Sequence, residues 1–126
     1  MLKYFNIPYA NNGRDYKGCD CYGLVKLLCK ELDNKDIPNY IYENSQDAEN
    51  GKIYLEELKK GKWTRCEAKK GAMILLRIDG IANHCGYMID NTSFIHITQK
   101  AGVAIAKITD NAFKDRIIGF GELKND

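Results

Sequence analysis

The order of secondary-structure signals in the sequence predicts an α+β fold, with N-terminal helices packed on a C-terminal antiparallel β-sheet of about five strands. Apolar residues at helical spacing are confined to the first half of the chain. The second half consists of short β-rich runs separated by Gly, Asp and Asn. The length of 126 residues suits one domain with its own core, so we expect a single domain over residues 1–126.

The first predicted helix begins directly after Asp20, whose carboxylate is suited to cap a helix start. Its apolar positions at helical spacing are residues 24, 25, 27, 28 and 32. The Asp33-Asn34 pair and Pro38 end this helix. A second periodic segment, Ile53 to Lys60, is closed by Gly61. Cys21 therefore lies in the first turn of the first helix.

The strands of the predicted sheet come from the second half of the chain. Five runs have the composition and turn boundaries of strands: residues 72–78, 84–89, 93–98, 102–108 and 117–120. They follow one another closely enough to form an antiparallel meander.

Composition excludes several classes of function. The 19 basic and 17 acidic residues give a net charge of +2, which does not suit a nucleic-acid-binding face. No apolar run is long enough for a membrane span or a signal peptide, so we expect a product made as a soluble cytosolic protein. Five cysteines in such a protein are expected to be free thiols. The sequence predicts neither a cofactor nor a resident metal.

Cys19 and Cys21 are separated by one residue at the start of the first helix, and three interpretations of the pair are open. A zinc site from Cys19, Cys21, His84 and His96 is conceivable, although Cys-x-Cys is not the usual zinc spacing. A redox couple normally requires Cys-x-x-Cys in a βαβ setting. A nucleophile needs a thiolate, which the positive end of a helix favours, and Cys21 lies there whereas Cys19 does not. The Cys21 backbone N–H is also placed to donate to an oxyanion.

The two histidines, His84 and His96, lie on neighbouring predicted strands joined by a turn around Asp90. A connection of odd length, for example three residues centred on Asp90, predicts that residues whose numbers sum to 180 lie opposite each other, so that the histidines face one another. A two-residue turn would instead put the two histidines on opposite faces. The predicted register puts residues 85, 87, 89, 95 and 97 on one face, and residues 84, 86, 88, 94 and 96 on the other. One imidazole could then take a thiol proton while the second orients it.

Three stretches resemble the NlpC-type cell-wall peptidases, a papain-like group of bacterial and phage cysteine hydrolases. "DCYGLVKLL" is similar to their Asp-Cys-x-Gly-Leu-Val signature, "HCGYMI" to their His-Val-Gly-Ile-Tyr strand and "FIHI" to their Phe-Ile-His strand. The resemblance implies that Cys21 is the nucleophile, His84 the base and His96 the orienting residue of a Cys-His-His triad. It also implies, through "IPYANNGRDYKGCDC", that the Tyr9 hydroxyl assists at the oxyanion or substrate.

The activity implied by this resemblance is that of a cysteine endopeptidase cleaving an amide bond in peptidoglycan stem peptides. Residues 18–38 are most similar to the phage-tail branch of the family, which implies tail proteins as partners and action at the cell wall. Two alternatives remain at this point. One is a zinc-stabilised or catalytically silent tail component, and the other is a thiol amidase or acyltransferase acting on another amide.

Overall fold

The computed structural model describes residues 2–40, 63–78 and 81–123. Its helix α1 (Cys21–Asp33) begins where the sequence predicts. Asp20 caps it by accepting a hydrogen bond from the Gly23 N–H, and Asn34 ends it in the left-handed conformation at φ 52°. The second predicted helix, Ile53 to Lys60, lies outside the described residues.

Eight strands accompany α1 in the described part of the chain, and they form two sheets. The small sheet is a hairpin of β1 (Arg14–Asp15) and β2 (Gly18–Cys19). The six-stranded antiparallel sheet, with strand order β3-β8-β4-β5-β6-β7, contains β3 (Trp63–Cys66), β4 (Met73–Ile78), β5 (Ile81–Met88), β6 (Ser93–Thr98), β7 (Gly102–Lys107) and β8 (Ile117–Leu123). The predicted α+β class, with a helix packed on an antiparallel sheet, is thus confirmed.

The sheet has one strand more than the five expected, because the sequence analysis missed β3. This strand has four residues, and an exposed Arg65 shares a face with the buried Trp63, so the alternation of apolar and polar residues is lost. Pairing with β8 from Trp63↔Leu123 to Cys66↔Phe120 holds it in the sheet instead. The formation of β3 therefore depends on its long-range pairing with β8 and not on a local sequence pattern.

The six-stranded sheet has an apolar cluster on each face. On the face that packs against α1, the buried side chains include Leu24 and Leu28 of the helix and Tyr87 and Ile95 of the sheet. The opposite face buries Ala72, Ile74, Leu76, Met88, Phe94 and Ala106. Each fully buried leucine or isoleucine contributes about 1.5–3 kcal/mol, so the sheet is stabilised from both sides.

The β5–β6 hairpin has a register that differs by one step from the prediction. Tyr87 pairs with Ile95 and Met88 with Phe94, so opposite residues sum to 182 rather than 180. The loop is centred on Asn91, because Asp90 Oδ1 accepts hydrogen bonds from the Thr92 and Ser93 N–H groups. The direct opposition of the two histidines was therefore wrong. The prediction that both histidines lie on the same face of the sheet was correct. The predicted sum of 180 and the observed sum of 182 are both even, and side chains alternate between faces with a period of two.

Two β-bulges lie at the same level of the sheet, beside His84. The pairing of β4 with β5 shifts between Leu76 and Arg77, which leaves Asn83 without an opposite residue. The pairing of β4 with β8 shifts between Leu75 and Leu76. Bulges bend a strand and increase its twist. The two bulges therefore lie where His84 pairs with Leu76, and local bending and twisting of the strands are expected there.

No helix in the described ranges has the length and apolar character needed to cross a bilayer.

Candidate active site

Cys21 is the first residue of α1 and is fully buried, as is Asp20 before it. The Asp20 carboxylate accepts three hydrogen bonds, each 2.8 Å long: from the Gly23 N–H and Arg14 Nη1 at Oδ1, and from the Asn12 N–H at Oδ2. A buried carboxylate with a cationic partner and two amide donors is held in its charged form. Asp20 therefore fixes the first turn of α1 and the loop before it relative to each other.

Tyr9 lies beside the segment that leads into Cys21. It forms an isolated parallel bridge with Cys19, supported by hydrogen bonds from the Cys19 N–H to the Pro8 carbonyl at 3.0 Å and from the Ala10 N–H to the Cys19 carbonyl at 2.9 Å. The two chains run so close that a Cβ on Gly18 would come within 2.5 Å of the Ala10 Cβ. Backbone hydrogen bonds thus hold Tyr9 beside Cys19, which precedes Cys21 by two residues.

Three of the other thiols are held in the protonated form. Burial, followed by the charges of Asp20 and Asp15, raises the pKa of Cys19 to about 12, and its Sγ donates to the Asp15 carbonyl at 3.2 Å. Burial and the charge of Asp33 raise the pKa of Cys29 to about 12. Burial also raises the pKa of Cys66. None of these three is suited to attack a substrate at neutral pH.

The two histidines are in contact. His84 Nε2 and His96 Nδ1 are 2.8 Å apart, and the rings meet edge to face with centroids 5.1 Å apart. They are diagonal rather than opposite neighbours, as the observed register requires. Both are buried, with 3% and 5% of their surface exposed.

Two phenylalanine rings also pack against His96. The Phe94 and Phe113 rings lie 5.0 and 5.3 Å from the imidazole, centroid to centroid. Burial in this apolar setting, together with the charge of His84, lowers the pKa of His96 to about 4. His96 is therefore neutral at pH 7, and a neutral imidazole has one N–H and one lone pair.

Two tautomer arrangements satisfy the contact between the rings. When the His96 Nδ1 lone pair accepts the His84 Nε2–H, the lone pair of His84 Nδ1 is left to take a proton. The same contact persists after protonation, because a His84 imidazolium still carries its Nε2–H. This arrangement is the one that a general base requires.

Helix α1 packs against β5. Near the start of the helix, the pKa of Tyr22 is raised by burial first and then by the nearby Tyr40 and Cys85. At its end, the Tyr87 hydroxyl donates to Asp33 Oδ2 at 2.8 Å. The first turn of α1, which contains Cys21, therefore lies near Cys85, the residue that follows His84 in β5.

The imidazoles belong to the sheet face opposite α1, because Cys85 and Tyr87 occupy the helix-facing side. The structure thus brings together His84 and His96, and separately Tyr9 and the Cys19–Cys21 segment. It places the start of α1 beside Cys85, the neighbour of His84. A contact between the Cys21 sulfur and the His84 imidazole belongs to the proposal below.

The described residues contain no group of three or more His, Cys, Asp or Glu side chains arranged to hold a metal ion. The zinc alternative, with Cys19, Cys21, His84 and His96 as ligands, thus gains no support.

Comparison with known proteins decides the family, since the NlpC/P60 family profile matches residues 6–122. The chain belongs to the NlpC/P60 family. The murein DD-endopeptidase MepS/murein LD-carboxypeptidase of Escherichia coli K12 is 27% identical over 110 residues, which are 87% of this chain and 52% of that protein. The chain thus spans about half the length of this curated relative.

Solved structures support the fold. The NlpC/p60 domain of the peptidoglycan hydrolase SagA has a TM-score of 0.60 at 17% identity, covering 98% of this chain and 92% of that one. A Staphylococcus aureus protein of the NLP/P60 family, described as similar to a lipoprotein, has a TM-score of 0.66 at 16% identity, covering 99% and 39%. Both likenesses bear on the fold alone.

Two residues of the site could not be predicted from the sequence. Arg14 holds the capping carboxylate, and Phe113 covers His96 from the segment before β8. Phe113 carried no signal, because it lies outside any periodic run. Arg14 is a single cationic residue six positions before the capping Asp20. Its contact with Asp20 depends on how the intervening loop folds, so the sequence alone does not predict it.

Proposed function

We propose that this chain is a cysteine endopeptidase that hydrolyses an amide bond in the peptide stems of peptidoglycan. The observation that carries the proposal is the buried contact between His84 and His96, with a neutral His96, next to Cys85, whose side chain faces α1 near its start at Cys21. The family membership and the similarity to the Escherichia coli murein endopeptidase support this substrate.

In the proposed reaction, Cys21 transfers its proton to His84 Nδ1 and its thiolate attacks the amide carbonyl carbon. The helix start stabilises the thiolate through its unsatisfied N–H groups. The Cys21 N–H and the Tyr9 hydroxyl donate to the oxyanion of the tetrahedral intermediate.

The intermediate collapses when the C–N bond breaks and the His84 imidazolium gives its proton to the leaving amine. A thioester remains on Cys21. Water, deprotonated by His84, attacks the thioester and releases a carboxylic acid and the free thiol. His96 accepts the Nε2–H of His84 throughout and so keeps the ring in one orientation.

The setting is a second part of the proposal. We place the enzyme at the cell wall after cytosolic synthesis, in association with a phage tail, on the resemblance of residues 18–38 alone. Copurification with tail proteins from a lysate of a phage-producing host, detected by mass spectrometry, tests this part.

The test of the activity is digestion of purified peptidoglycan by the chain, with released peptides identified by mass spectrometry. Cys21→Ala should abolish the products, whereas Cys19→Ala should retain them, because Cys19 is an equally buried thiol whose pKa is raised to about 12. Equal loss in both variants would contradict the assignment of Cys21. Intact stems with the wild-type chain would contradict the substrate and would favour a silent component or an enzyme acting on another amide.

A further inference from the structure

Arg14 joins three separate segments at the start of α1. Its Nη1 donates to Asp20 Oδ1 at 2.8 Å and to the Gly13 carbonyl at 2.9 Å. Its Nε donates to Asn39 Oδ1 at 2.7 Å, and its Nη2 to the Tyr40 carbonyl at 2.6 Å. One guanidinium thus connects the loop before the helix, the helix cap, and the chain that follows the helix.

The ion pair of this group is largely withdrawn from water. Side-chain exposure is 16% for Arg14 and 0% for Asp20. The guanidinium carbon also lies 5.7 Å from the centre of the Tyr22 ring, where a cation is stabilised by the π-electrons. Loss of one partner from such a pair leaves an uncompensated buried charge. The charge that would remain here is a carboxylate on the residue before Cys21.

A second set of contacts fixes the chain that follows α1 over the first turns of the helix. The Tyr22 hydroxyl donates to the Pro38 carbonyl at 2.7 Å, and Lys26 Nζ donates to the Ile37 carbonyl at 2.6 Å. Tyr40 stacks at a tilt on Tyr22, with ring centroids 5.1 Å apart. Only the planar fork of an arginine can serve the two acceptors on this chain and the Asp20 carboxylate together.

We infer that Arg14 is a positioning residue for Cys21, acting through Asp20. It balances the carboxylate beside Cys21, so that this negative charge does not oppose formation of the thiolate, and it holds the first turn whose N–H groups face the sulfur and the oxyanion. The other titratable side chains around this turn are Tyr22 on α1, Cys19 on β2, Cys85 on β5 and Tyr40. The proposed reaction adds the His84 imidazole, which is the same in every variant compared below. The inference rests on the proposed function only in taking Cys21 as the nucleophile.

The experiment measures the rate of Cys21 alkylation by iodoacetamide against pH, with the labelled site mapped by mass spectrometry. Arg14→Gln should raise the midpoint of this profile by about one pH unit, because the Asp20 charge is no longer balanced.

Three further variants sharpen the result. Arg14→Lys keeps the cation and should keep the midpoint, while turnover on peptidoglycan falls because the contacts to Asn39 and Tyr40 are lost. Asp20→Asn alone should lower the midpoint, and this variant keeps the inference testable where Arg14→Gln does not fold. The exposed Arg116→Gln is the matched control and should leave the profile unchanged.

Two outcomes would overturn the inference: an unshifted midpoint in a folded Arg14→Gln protein, or an unshifted midpoint in Asp20→Asn. Folding is checked by far-UV circular dichroism and thermal unfolding. Alkylation needs no peptidoglycan, so this result is independent of the substrate. Failure of the proposed function would instead appear as stems left intact by the wild-type chain or cleaved by Cys21→Ala.

Discussion

The start of α1 and the β5–β6 hairpin are both buried, and burial has opposite consequences in the two places. At the helix start, Asp20 is inaccessible yet surrounded by three donors, one of them cationic. In the hairpin, His96 is almost as inaccessible, but two phenylalanine rings flank it and its pKa falls to about 4.

This difference shows that the partners of a buried group decide its charge. A carboxylate with a guanidinium and two amides remains ionised, whereas an imidazole beside apolar rings and a second imidazole remains neutral. The proposed chemistry needs both conditions. The Cys21 thiolate must be stabilised by the N–H groups at the helix start. His96 must stay neutral so that its Nδ1 lone pair can accept the His84 Nε2–H. The following predictions test each half.

The largest expected effect lies at the start of α1. Tyr9→Phe should lower turnover on peptidoglycan by about 10²–10³-fold, since one oxyanion donor is lost. The KM should change little, because the donor acts mainly in the transition state. Steady-state kinetics on purified stem peptides provide the measurement. The exposed Tyr16→Phe is a matched control on the same segment and should retain activity. Unchanged turnover in Tyr9→Phe would remove Tyr9 from the site.

A second prediction compares a glycine in the first turn of α1 with a glycine in the β5–β6 hairpin. A Cβ on Gly23 would lie 1.9 Å from the Gly13 carbonyl oxygen and 3.0 Å from Arg14 Nη1, so the backbone itself must shift. A Cβ on Gly86 would meet the Ile95 carbonyl oxygen at 3.0 Å and the His96 Cβ at 3.2 Å, which small movements relieve. Gly23→Ala should therefore lower the free energy of unfolding by about 3 kcal/mol and Gly86→Ala by about 1 kcal/mol. Urea unfolding measures both, and the reverse order would contradict the packing described.

A third prediction concerns the pH dependence of stability that His96 causes in the hairpin. The pKa of His96 is about 4 in the folded chain and about 6.5 in an unfolded one, so the unfolded state binds the proton first as the pH falls. The free energy of unfolding should therefore decrease between about pH 6.5 and pH 4, and His96 should add no slope above that range. His96→Asn should flatten this part of the profile in urea titrations. An equal slope in the variant would show that His96 is not the group responsible.

The sequence predicted those parts of the fold that local signals specify. The Asp20 cap, the bounds of α1 and the strand Ser93–Thr98 agree with the structure, since capping chemistry and side-chain alternation are written in neighbouring residues. The strand Trp63–Cys66 was missed because its pairing with β8 involves residues more than fifty positions away. The hairpin register was off by one step because Asp90 bonds forward to Thr92 and Ser93, which recentres the loop.

For the candidate site, the sequence predicted the contact between the two histidines through the parity of the hairpin. The Tyr9 assignment came from family resemblance, and the structure adds the bridge to Cys19. Arg14 and Phe113 could not be predicted, because their contacts form only when distant segments meet. The roles of Cys21, His84, His96 and Tyr9 in catalysis stay predictions.

The three-residue loop centred on Asn91 also limits how the gene can vary in length at this point. Removal or addition of a single codon there changes the sum of paired positions from even to odd, which sends one imidazole into the helix side of the sheet and the other away from it. Two codons added together preserve parity and only slide the strands. Tolerance to insertions and deletions in this hairpin should thus alternate with their size.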